Sequence, residues 1–238
     1  MDNLNERVAQ AVQHFWTTRL NQSDSQGGAG ARDMGGRAAV TGGRQMDGFV
    51  ALIRDLVVEV GCPTGSIHFD RKLELPGWFR AEKQWDLAII HKGQLLAAAE
   101  FKSQIGPSFG NNFNNRTEEA LGSATDIWAA YREGAFKPST RPWLGYLMLL
   151  EDCSRSASPV KVSEPHFKVF EEFRGASYRR RYQLLLSKLV RERLYDSACF
   201  LLSPPRGGGI GAYSEPDPEF SFLPFTKSLM ARVSSACQ

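Results

Sequence analysis

Apolar positions along this chain follow two periods, and the switches between them outline its elements. Over residues 4–20, Val8, Val12, Phe15 and Trp16 recur at the spacing of a helix face. Residues 46–60 repeat that spacing more densely: Phe49, Leu52, Ile53, Leu56, Val57 and Val60 form one stripe, and Gly61 and Pro63 supply the stop. Residues 83–91 (KQWDLAIIH) and 95–102 (LLAAAEFK) instead read as two strands joined around Lys92-Gly93. A polar Gly- and Asn-rich stretch (SQIGPSFGNNFNN) reads as a loop, and a helix is expected from Arg116 to Tyr131. Residues 142–150 are continuously apolar, as buried central strands are. Ser163-Glu164-Pro165 has the residue types of a helix start, with Phe167, Phe170 and Phe173 following at helical spacing. The last third is expected to be mostly helical, with a short strand over residues 197–202 and a closing helix over 224–234. There are no internal repeats. Alternating strands and helices around one hairpin predict an α/β or α+β class, with a mixed central sheet flanked by helices in one domain of residues 1–238.

Composition changes this picture in two places. Residues 26–44 (QGGAGARDMGGRAAVTGGR) hold seven glycines and three arginines, Arg32, Arg37 and Arg44. So few large apolar side chains cannot build core, which predicts a mobile loop: either a plain surface loop or a basic flap that orders on a polyanion. No G-K-[ST] follows the glycines, so it is not a phosphate loop. Residues 174–193 carry seven basic residues against one acid, Glu192, yet the whole chain is only +3. That excludes binding to nucleic acid by bulk charge alone, while allowing a basic face. The length of 238 residues supports a core without disulfide or zinc staples. Cys62, Cys153, Cys199 and Cys237 form no C-x-x-C pair and are expected to be free thiols. His14, His68, His91 and His166 lack ligand spacing. No apolar run reaches membrane length and the first residues lack the order of a signal peptide, so a cytoplasmic location is expected.

The hairpin carries the chemistry. Asp86 lies on its first strand, and Glu100-Phe101-Lys102 on its second. Alternation sends Glu100 and Lys102 to one face and Phe101 to the other. Charged groups at the ends of such apolar strands are costly to desolvate unless paired or metal-bound. Two carboxylates with a lysine form a hard-oxygen site for Mg²⁺ and a cationic donor for a developing oxyanion, the requirements for phosphodiester hydrolysis. Register is the check. A plain two-residue turn at Lys92-Gly93 sets Asp86 opposite Ala99. A three-residue turn, or a bulge next to Asp86, is needed to bring Asp86 opposite Glu100, and that irregularity is expected.

The run WDLAII…AAAEFKSQIGPSFGNNFNNRTEEALGSATD, with QMDGF at residues 45–49, resembles the PD-(D/E)xK nuclease superfamily and within it the XhoI-type restriction endonucleases. The superfamily's Pro-Asp is Trp85-Asp86 here. The resemblance implies a restriction-endonuclease-like fold, Asp86 and Glu100 as metal ligands and Lys102 as the catalytic lysine. It further implies a homodimer that cuts double-stranded DNA at a palindromic six-base-pair site such as C/TCGAG, leaving 5′ overhangs and 5′-phosphates. A cognate DNA methyltransferase is expected in the same system, without a stable complex. Two other functions remain on the same residues: a structure-selective repair or junction-resolving nuclease, and a DNA-binding module without catalysis.

Other candidates are auxiliary. Asp47 begins the second helix, either near the metal or as an acid favoured by the helix dipole. Gln104 continues the Glu100/Lys102 alternation and is placed to hold a water or phosphate, or else is an exposed strand end. Asn111, Asn112, Asn114, Asn115 and Arg116 are types that read adenine and guanine, or a turn-rich loop with Asn115 as a helix cap. Glu118 and Glu119 suit a helix start unless one faces the metal. Arg179, Arg180 and Arg181, flanked by Tyr178 and Tyr182, either contact phosphates or form a solvated face.

Overall fold

The structure is a computed structural model describing residues 3–27, 45–71, 73–205 and 211–237. Most of the Gly/Arg-rich segment, expected to be a mobile loop, lies outside the described residues. Five strands form one mixed sheet in the order β1-β4-β5-β6-β7, where β1 is Ile67–His68, β4 Leu87–His91, β5 Gln94–Gln104, β6 Trp143–Glu151 and β7 Ser197–Ser203. The β1/β4 and β4/β5 pairs are antiparallel; β5/β6 and β6/β7 are parallel. β2 (Glu74–Pro76) and β3 (Glu82–Gln84) form a separate two-stranded ribbon.

Helices cover both faces of the sheet, and each face has its own core. On one side, α1 (Leu4–Gly27), α2 (Asp47–Glu59) and α6 (Phe222–Cys237) bury Phe15, Phe49, Ile53 and Phe225 against Ala99, Phe101 and Leu147. On the other, α3 (Phe109–Arg132) and α5 (Tyr178–Arg191) pack Ile127, Tyr182 and Leu186 against Ala98, Tyr146 and Met148. A one-turn helix, α4 (Ser154–Ala157), follows β6. Each large apolar side chain removed from water in this way contributes roughly 1.5–3 kcal/mol.

Three expectations are corrected. The apolar pattern of residues 83–91 suggested one strand, but the chain divides: β3 pairs with β2, Trp85 and Asp86 link, and β4 joins the large sheet. The Asn-rich loop is helix, because α3 begins at Phe109 and runs through Asn111, Asn112, Asn114 and Asn115. Asparagine is a weak helix former, but Phe109 stacks on Tyr178 at 5.7 Å and Phe113 meets Tyr182 edge-on at 5.1 Å. Packing of that aromatic stripe overrides propensity. Conversely, the segment at Ser163-Glu164-Pro165 forms no α-helix; only Glu171–Phe173 makes a 3₁₀ turn. Phe167 and Phe170 are exposed there, so a helix would have no face to bury.

The hairpin turn is a tight one, with Lys92 and Gly93 both at positive φ (49° and 74°) and His91 opposite Gln94. Ile90 then faces Leu95 while Ile89 faces Ala97, so Leu96 is an extra residue, a bulge. Leu87 consequently pairs with Ala99, and continuing that register aligns Asp86 with Glu100. The expected irregularity is present, but near the turn rather than beside Asp86.

Candidate active site

β5 is the spine of the site. Phe101 turns into the α1/α2/α6 core, and Glu100, Lys102 and Gln104 turn to the α3/α5 side. Asp86 stands where the chain enters β4. Its Oδ2 accepts the Phe101 backbone N–H at 2.8 Å, doing for β5 what a ladder carbonyl would have done. The same oxygen lies 3.0 Å from Lys102 Nζ, and Glu100 Oε1 lies 3.4 Å from that ammonium. Two carboxylates thus converge on one cation.

Glu100 is only 2% exposed, so its charge needs partners. Oε1 accepts from Lys83 Nζ at 2.6 Å, and Oε2 lies 3.2 Å from the Tyr195 hydroxyl, which also lies 3.1 Å from the Ala120 carbonyl. Lys83 Nζ rests 4.3 Å above the centre of buried Trp85, which walls the pair off from water. Burial opposes ionisation of Glu100, but the Lys102 and Lys83 ammonium groups and the Tyr195 hydroxyl outweigh it and hold the carboxyl below its usual range. Burial likewise works against the charge on Lys102, but Glu100 and Asp86 prevail and push its pKa up. Burial, reinforced by Glu100, pushes the Tyr195 and Tyr146 hydroxyls far up, so both stay protonated.

Among the described residues no cluster of three or more His, Cys, Asp or Glu side chains could hold a metal. The oxygen donors available are Asp86 and Glu100. That set fits Mg²⁺, which binds through one or two carboxylates and keeps waters and substrate phosphates in its other positions. It does not fit a fully protein-ligated zinc.

The family described as Restriction endonuclease XhoI matches residues 25–215. The chain belongs to the XhoI restriction endonuclease family. It is 53% identical over 212 residues to "Type II restriction enzyme BstVI" of Geobacillus stearothermophilus, covering 87% of this chain and 95% of that one. It is 41% identical over 220 residues to "Type II restriction enzyme XhoI" of Xanthomonas vasicola, covering 89% and 87%. It is 48% identical over 163 residues to "Type II restriction enzyme AbrI" of Azospirillum brasilense, covering 68% and 73%. No solved structure matches the chain.

The remaining candidates of this XhoI-family chain separate into near and far. Gln104 is buried, its amide donating to the Phe109 carbonyl at 3.0 Å and its oxygen accepting from Tyr182. It therefore ties β5 to α3 and α5 rather than ending exposed or reaching a phosphate. Asp47 begins α2, whose apolar stripe packs on the opposite face of the sheet from Glu100 and Lys102, so the metal role is not supported by its place in the fold. Arg116, half-buried on α3, pairs with Glu119 one turn later, and its charge is felt at Lys102 and Tyr146. Asn111, Asn114 and Asn115 are exposed on the first turns of α3, and Asn112 is half-buried, so Asn115 is no cap.

The arginine cluster is mostly used inside the fold. Arg179 pairs with Asp152, and Arg181 donates to the Ala176 carbonyl at 3.2 Å, leaving Arg180 as the exposed member. Tyr178 and Tyr182 pack on Phe109 and Phe113 instead of flanking a phosphate. Lys83 and Tyr195 escaped sequence reasoning. Lys83 gave one signal, a basic residue three positions before Asp86; Tyr195, in an unremarkable turn before β7, gave none.

Proposed function

We propose that this XhoI-family restriction endonuclease makes Mg²⁺-dependent double-strand cuts at a palindromic six-base-pair DNA site, C/TCGAG, leaving 5′ overhangs and 5′-phosphates. It acts in the cytoplasm as a homodimer, alongside a DNA methyltransferase that protects the same site. The observation that supports the reading best is the convergence of Asp86 and Glu100 on Lys102 at the mouth of the hairpin. Asp86 and Glu100 would hold Mg²⁺, which would supply Lewis-acid activation of the phosphate and of the attacking water. The water oxygen bonds to phosphorus and the bond to the 3′ oxygen breaks, so the phosphate stays on the 5′ end.

Lys102, kept protonated by its two acidic neighbours, serves as a cationic donor to the phosphate and orients the water. Lys83 and Tyr195 hold Glu100 in one orientation. Trp85 and Tyr146 keep bulk water away from the charged pair and so strengthen these interactions. The test is plasmid DNA carrying one CTCGAG site, with and without Mg²⁺. Linear product with four-base 5′ ends is expected. Cutting at another sequence replaces the site assignment; nicking without sequence dependence favours a structure-selective nuclease, and binding without cleavage a catalytically silent module.

A further inference from the structure

The β2–β3 ribbon has an unusual economy. Its tip, residues 77–81, exposes Trp78 at 55% and Phe79 at 72%, while a buried carboxylate is spent on fixing its shape. Asp126, 4% exposed on α3, accepts the backbone N–H groups of Trp78 at 2.7 Å and Phe79 at 2.9 Å, and Arg80 Nε at 2.6 Å. Gly77 completes the clamp, because a Cβ there would stand 2.6 Å from Asp126 Oδ2 and 2.8 Å from the Arg80 carbonyl. Burial of Asp126 raises its pKa, but the Phe79, Arg80 and Trp78 donors overcome this and hold the carboxyl ionised below the usual range. A turn whose aromatic side chains add nothing to either core is thus held rigid. Rigidity with exposed aromatics is the economy of a binding surface, since little side-chain and loop entropy remains to be lost.

The occupant follows from continuity with the catalytic strand. β3 passes from this tip to Lys83, which bonds Glu100, and the chain then reaches Asp86. Phe79 lies four positions before Lys83, so the tip is within about 13 Å of Lys83 along extended chain. The outer face of the ribbon carries exposed Glu74 and Glu82, which would repel a phosphate backbone laid across it. The ribbon therefore meets DNA by its tip, and a two-stranded ribbon has the width a DNA groove admits. We propose that Trp78 and Phe79 form an aromatic wedge that contacts base steps of the duplex beside the scissile phosphate, with Asp126 holding it in place. This rests on the active-site reading above.

The experiment compares the full-length protein with Trp78→Ala/Phe79→Ala and with Trp78→Phe/Phe79→Tyr. Each is titrated without divalent metal against a CTCGAG duplex carrying 2-aminopurine next to the site. The alanine pair is expected to keep its melting temperature and oligomeric state, to lose about tenfold or more in affinity, and to lose the 2-aminopurine unstacking signal. The aromatic pair is expected to restore both. Unchanged affinity and fluorescence in the alanine pair overturn the wedge. Dissociation of the protein in light scattering also overturns it and assigns the tip to contact between protein chains. Glu100→Gln in parallel separates the two readings: normal cleavage by that variant refutes the active site, whereas lost cleavage with an unaffected alanine pair refutes only the wedge.

Discussion

The two faces of the central sheet are built from the same strands by opposite rules. Toward α1, α2 and α6, the central strands β5 and β6 present Ala97, Ala99, Phe101, Leu147 and Leu149, all apolar and closely packed. Toward α3 and α5 the same strands present apolar Ala98, Leu144, Met148 and Leu150 together with polar Glu100, Lys102, Gln104 and Tyr146, and Tyr182 and Tyr195 close over them. The first face can be judged by volume and shape; the second must also hold buried charges and hydroxyls, and it partners the Glu100 carboxylate and the Gln104 amide while the Tyr146 hydroxyl goes without a hydrogen bond among the described residues. A one-residue slip of β5 would exchange the two faces, and the Leu96 bulge fixes the register that prevents it. The converging acids and lysine proposed as catalytic are thus confined to one face, and the other is free to supply stability.

The largest effect expected from breaking this division is at Glu100. Glu100→Gln removes the charge that two lysines share, and cleavage should fall at least ~10³-fold in a single-turnover assay. Leu147→Ala, opposite Phe101 on the apolar face, should cost about 2–5 kcal/mol in denaturant unfolding while the rate per folded molecule stays unchanged. Similar stability losses with very different catalytic losses are expected. If both variants lose activity in proportion to folding, the faces are not functionally separate.

Lys83→Met comes next. Glu100 keeps Lys102 but loses the 2.6 Å partner, so cleavage should drop about tenfold, equivalent to ~1.4 kcal/mol. Because the Glu100 pKa is depressed in the folded protein, its contribution to stability is present above the ordinary carboxylate pKa of about 4.3 and is lost as pH falls through the lower folded value. Melting temperatures of wild type and Glu100→Gln should therefore converge as pH is lowered below ~4. A gap that widens on acidification would contradict the pairing.

How much of this was legible in the sequence also divides by face. The apolar face could be read from periodicity: the α2 stripe, the continuous β6 and the alternation of β5 all stand in the structure. The acid pair and its lysine were legible too, because charges at the ends of apolar strands need a reason. What failed were statements that depend on packing at a distance. The Asn-rich stretch reads as loop until Tyr178 and Tyr182, far along the chain, offer Phe109 and Phe113 a surface. Arg174 and Lys188 read as part of a basic face until Glu164, Glu171 and Glu172 are found beside them. Asp47 sits on a helix whose face could be read, but which side of the sheet that face covers could not.

The smallest predicted effect tests the polar face where it is most hidden. Tyr195→Phe deletes one hydroxyl that lies between Glu100 Oε2 and the Ala120 carbonyl, and leaves ring packing against Tyr146 intact. A single hydrogen bond to a charged acceptor contributes roughly 1.5–3 kcal/mol, but part of that is recovered as Glu100 leans further onto its two lysines. Unfolding free energy should thus fall by about 1 kcal/mol. If Tyr195 orients the carboxylate, the change falls on kcat, with KM for DNA nearly constant. If it is only a packing residue on the α3/α5 side, stability changes and kcat does not. Tyr146→Phe is the control on the same ring pair, since its hydroxyl makes no hydrogen bond among the described residues and its loss should leave Glu100 where it is.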